Sequence, residues 1–150
     1  MIIFRFEKTT DERDGPFGGD HGTQPSLAYD KVATSLGFSS AYDGPTLFNH
    51  TEEGTDAHKH VITAGLKGFH FGFESLEQLD DWFSCPEGRQ AMEEKGCKLF
   101  KFSVPDDYVL RGSHQVLFRR DKADSRQEFD AVHYLPREQP VYATDEDLSP

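Results

Sequence analysis

Large apolar side chains alternate with small or polar ones in three stretches of this chain, and any fold has to accommodate that period of two before anything else. Ile2, Phe4 and Phe6 fall on one side of the opening segment, with Ile3 and Arg5 on the other. Phe69, Phe71 and Phe73 alternate with His70 and Gly72, and Phe100, Phe102 and Val104 share one face of the segment that starts at Lys98. Side chains at i, i+2 and i+4 line one face of a strand, so each stretch predicts a strand with at least one buried face. A fourth run, Ser113 to Arg119, sets Val116 and Phe118 against Gln115, Leu117 and Arg119. It is expected to neighbour the Lys98–Val104 strand.

Helical spacing takes over after Phe73. Ser75 stands three residues before Gln78, a capping-box arrangement that satisfies the free N–H groups of a new helix. Leu76, Leu79, Trp82 and Phe83 follow at helical intervals, with Glu77, Asp80 and Asp81 opposite, so Leu76–Phe83 is predicted to be an amphipathic helix packed on the sheet. Pro86 to Gly96 predicts a second short helix, with Pro86 in its first turn and Gly96 as its left-handed terminator. Pro25 to Leu36 predicts another, with Leu27, Ala28, Val32 and Leu36 as its apolar face. Val61–Ala64 is expected to be a brief strand. Thr9–Gly22 and Gly37–Ala57, rich in Gly, Pro, Ser and acids, are expected to be irregular.

These elements amount to an α+β domain over residues 1–120, with a small, mainly antiparallel sheet, one well-defined amphipathic helix and long irregular loops. The 150 residues fit one such domain. Residues 121–150 contain eight acids and three bases and are expected to be a peripheral acidic tail. They supply −5 of a net charge of −11, which arises from 27 acids and 16 bases.

That charge argues against non-specific nucleic-acid binding, which depends on Lys and Arg neutralising phosphates. It favours a protein partner with a basic surface. No apolar run approaches the roughly 20 residues of a membrane span, and the N-terminus lacks the marks of a signal peptide, so a cytoplasmic protein is expected. Cys85 and Cys97 are too few for a disulfide scaffold and are expected to be structural thiols. Three histidines and three acids crowd into His50–His60. His58 and His60, with Asp56 or His50, have the donor types for a transition metal but no recognised ligand spacing, so a solvated loop is expected and no metal is assigned. Gly15–Gly19 lacks the Lys and Ser or Thr of a P-loop, and Ser39 and Ser40 lie in no nucleophile elbow.

The order FHFGF, SLEQLDDWF, KLFKFSVPDDYVL and HQVLF resembles the later part of ADP-ribosyltransferase-like domains, and IIFRF resembles their first strand. The block GFxSxEQLxxWF followed by QVxF also resembles small accessory proteins of tailed bacteriophages. The first resemblance implies an NAD-dependent transferase acting on a host protein, with Arg5 as a cofactor contact. His21, whose imidazole suits ribose hydroxyls, is the second cofactor candidate. Gln115 falls where that family places its catalytic glutamate. A glutamine holds hydroxyls but supplies no negative charge to a developing cation. The alternative is a non-catalytic acidic protein that blocks a basic site on a host enzyme or defence complex.

Overall fold

The computed structural model of the protein describes residues 1–9, 15–17, 24–41 and 53–130. Along the chain these form β1 (Ile2–Lys8), α1 (Pro25–Ser35), α2 (Asp56–Ala64), β2 (Phe69–Gly72), α3 (Leu76–Trp82), α4 (Pro86–Glu94), β3 (Cys97–Ser103), β4 (Val109–Arg111), β5 (Val116–Arg119) and β6 (Ser125–Phe129). The α+β class is as expected, but the strands divide into two antiparallel sheets, ordered β1-β3-β6 and β2-β5-β4.

The alternation in β1 and β3 sorts their side chains into two cores. Phe6 lies opposite Leu99, and Ile3 opposite Phe102. Phe4, Phe6, Cys97 and Leu99 pack with Tyr29, Ala33, Leu79, Phe83 and Met92 beneath α1, α3 and α4. Ile3, Phe100, Phe102 and Val104 turn the other way and meet Val116 and Phe118 of the second sheet. That sheet's far face carries Leu117, which packs with Ala57 and Val61 of α2 and with half-buried Phe69, Phe71 and Leu110. The layers therefore run helices, sheet, sheet, helix.

The two sheets are stitched where β2 ends. Phe4 and Phe73 exchange backbone hydrogen bonds of 2.8 Å in both directions. The residue before the stitch must let the backbones close up, because a Cβ on Gly72 would stand 2.5 Å from Ile3 Cγ2 and 3.0 Å from Phe118 Cε1. Gly72→Ala is therefore expected to cost about 1–3 kcal/mol through overpacking. A denaturant midpoint indistinguishable from wild type would refute the close approach.

The helix signals act as expected at two ends. Ser75 Oγ accepts from the Gln78 N–H at 3.1 Å, while Gln78 Oε1 accepts from the Glu74 N–H at 3.0 Å. Gly96 follows α4 with φ 83°. Other expectations are corrected. Val61–Ala64 is the last turn of α2, which Thr55 caps by accepting from the His58 N–H, so the β-branched run is overridden by a helix start upstream. The α1 helix buries Pro25, Ser26, Tyr29 and Ala33, whereas Leu27 and Leu36 are exposed. The Lys98–Val104 and Ser113–Arg119 strands belong to different sheets, because the intervening Val109–Arg111 is itself a strand that takes the place beside β5. Residues 125–129 pair with β3, which carries the first sheet into the segment read from composition as tail. Residues 131–150 lie outside the described residues.

Candidate functional site

Arg5 lies on the β1 face that looks toward the second sheet, and it is committed there. Its Nε donates to Glu7 Oε2 at 2.9 Å and its Nη1 to the Phe71 carbonyl at 2.7 Å. Glu7 is fully buried and is shared with two further arginines. Arg120 donates from Nε to Glu7 Oε2 at 2.8 Å and from Nη2 to Oε1 at 3.1 Å, and Arg126 donates from Nε to Oε1 at 3.2 Å. Arg126 also lies 3.6 Å from the centre of the Phe100 ring. Burial lowers the Arg5 pKa, and Glu7 opposes that shift. A nucleotide at Arg5 would have to compete with these bonds. Sequence reasoning missed Glu7, because nothing local distinguishes it from the other acids.

Gln115 is buried immediately ahead of β5, and its carbonyl accepts from the Gly112 N–H at 2.9 Å to close the β4–β5 turn. Arg5 thus belongs to the first sheet, while Gln115 leads into the central strand of the second. His21 and His50 lie outside the described residues. His58 and His60 are in α2, not in an extended loop, and the His60 ring lies against that of Phe69, tilted by 55° with ring centres 4.7 Å apart. Among the described residues no group of three His, Cys, Asp or Glu side chains is placed to hold a metal.

Both cysteines are buried, and burial pushes the Cys97 thiol up to about 12 and raises that of Cys85. Burial also raises the Tyr29 phenol, whose oxygen accepts from the Cys85 N–H at 2.9 Å. A group that keeps its proton in the native state while the unfolded chain loses it weakens folding as pH rises. Stability should therefore be intact below about pH 9, the ordinary value for Cys97, and fall progressively toward 12. Melting temperatures measured across that range check this, and a flat profile from pH 8.5 to 11 would refute it. Neither thiol should react with a maleimide at neutral pH without unfolding.

The outward side of the α3–α4 pair has a different character. Residues 75–94 contain six acids and one base, Arg89. That base is fully buried, its Nη1 donating to the Phe83 carbonyl at 2.6 Å and lying 3.7 Å from Asp80 Oδ1. Glu77, Asp81, Glu87 and Glu94 are exposed, so the outer surface of the pair carries carboxylates, with exposed Lys95 directly after Glu94 at the C-terminal end of α4. Beside it, α1 packs so closely on α4 that a Cβ on Gly88 would stand 2.7 Å from the Tyr29 ring. An open groove of about 420 Å³ runs between these helices, lined by Val32, Pro86, Glu87, Gln90, Ala91 and Glu94.

Residues 1–132 match the family described as Bacteriophage T4 Y00F protein. The chain is 41% identical over 56 residues to the uncharacterized 19.7 kDa protein in the motB-dexA intergenic region of Enterobacteria phage T4, a match covering 37% of this chain and 33% of that protein. The chain thus aligns with about a third of the length of that relative. No solved structure matches. No helix among the described residues is long and apolar enough to cross a membrane.

Proposed function

The chain belongs to the Bacteriophage T4 Y00F protein family, and from that premise we propose that it is a phage accessory protein that binds, without catalysis, a basic surface on a host protein. One observation carries this reading: the α3–α4 pair presents carboxylates outward and buries its single arginine. Such a surface steers cationic partners and disfavours acidic ones, and its effect weakens with salt. The Arg5 guanidinium is engaged by Glu7 and the Phe71 carbonyl, and Gln115 brings no negative charge, so a binding role asks less of this chain than ADP-ribosyl transfer does.

The full chain, immobilised, is expected to retain one basic protein from host lysate at low salt and release it as ionic strength rises. A variant with Glu77→Lys and Asp81→Lys should capture it at least several-fold less well. Capture unchanged by both salt and charge reversal would overturn the reading. Labelled NAD in the same lysate provides the competing outcome. Transfer of label that is lost in Gln115→Ala would replace a binding role by a transferase.

A further inference from the structure

We infer that the groove between α1 and α4 seats a helical segment of that basic partner, one with two cationic residues seven positions apart and aliphatic residues between them. The inference rests on the acidic-binder reading and gives it a location. Val32, Pro86 and Ala91 make the apolar part of the groove, while Glu87 and Glu94 stand at two points along it with Gln90 between. Both carboxylates are exposed on α4. Glu94 accepts only a long bond from Gln90 Nε2 at 3.4 Å, and Glu87 lies 3.6 Å from Cys85 Sγ, so both retain accepting capacity.

Spacing decides the occupant. Seven residues of helix rise about 10.5 Å, too far for the two carboxylates to share one cation. A partner helix lying along the groove repeats that distance between its own positions i and i+7, which share a face, and turns i+3 and i+4 toward the same side. Lys or Arg at i and i+7 then meets Glu87 and Glu94, and aliphatic side chains at i+3 and i+4 meet Val32 and Ala91. An extended segment covers about 10 Å in three residues, which places the two cations on opposite faces. The geometry is that of a helix laid in a groove, with carboxylates setting register and the apolar floor supplying burial.

The probe is a labelled synthetic peptide of about 14 residues, helix-favouring, with lysines at i and i+7 and leucines at i+3 and i+4, titrated against the full chain by fluorescence anisotropy. Glu87→Gln and Glu94→Gln are each expected to weaken binding about threefold, and the double variant about tenfold, as for exposed ion pairs. A peptide with its lysines at i and i+4 should bind correspondingly less well. No binding, equal binding to the E87Q/E94Q variant, or equal binding of both spacings would overturn the assignment. Sedimentation of the chain alone adds one more outcome: self-association that E87Q/E94Q abolishes would make the occupant a second copy and refute the partner helix. If E87Q/E94Q still captures the host protein, the groove is wrong and the acidic binder stands. If the wild-type chain captures nothing, the binder reading fails while the peptide still reports on the groove.

Discussion

Glu7→Gln is expected to destabilise the protein by about 3–5 kcal/mol, the range seen when one partner of a buried ionic cluster is removed. The carboxylate is fully buried and takes hydrogen bonds from arginines that reach it from β1, from the turn after β5 and from β6. Glutamine preserves the shape, yet it has one accepting oxygen in place of two and turns an NH2 group toward cationic donors. Arg5 suffers most, because its side chain is nearly as buried as that of Glu7. The cluster also ties residues separated by 113 and 119 positions in the chain, so its loss should release β6 from the first sheet. At about 2–4 °C per kcal/mol for a chain of this size, the melting temperature should fall by roughly 6–20 °C. Arg126→Gln should do less, since Arg126 is partly exposed and Glu7 would keep two partners. A shift below 2 °C for Glu7→Gln would show that the buried carboxylate is not needed.

That residue also marks the limit of what can be read from the chain alone. The faces of β1 and β3 are legible because Phe4 and Phe6, or Phe100 and Phe102, repeat at a period that only a strand satisfies. The ends of α3 and α4 are legible because Ser75 and Gly96 act through bonds to close neighbours. Glu7 is one acid among 27, and its role depends on arginines more than a hundred positions away. The division into two sheets is non-local in the same sense, since strand order is decided by which apolar faces meet. The α2 helix was within reach: Thr55 followed by Asp56 is a helix-start signal that outweighs the short run Val61–Thr63. The buried face of α1 was harder, because Tyr29 and Ala33 outcompete Leu27 and Leu36 only once the close approach of α4 at Gly88 is known. The same holds for the groove. The acids of residues 75–94 are visible in the sequence, but Val32 joins them only when α1 has docked.

Phe83→Ala provides the second large effect and separates fold from site. Phe83 is 1% exposed, and its ring centre lies 5.0 Å from that of Phe6, 5.1 Å from Tyr29 and 6.1 Å from Phe17. The side chain thus joins β1 to α1 at the end of α3, and its carbonyl holds Arg89 of α4. Truncation removes the edge-to-face contacts and leaves a cavity among groups anchored from several elements, for an expected loss of about 3–5 kcal/mol. Phe83→Leu should recover part of this by filling some of the volume. The consequence for binding is distinctive. Tyr29, which Phe83 supports, sets the spacing of α1 against α4, so Phe83→Ala should weaken the lysine peptide well below its melting transition without altering a groove residue. Glu7→Gln, of similar cost, acts between the two sheets and should leave peptide affinity unchanged at the same temperature. Equal losses of affinity in the two variants would mean that binding tracks global stability, and the α1–α4 packing would then have no special part in shaping the groove.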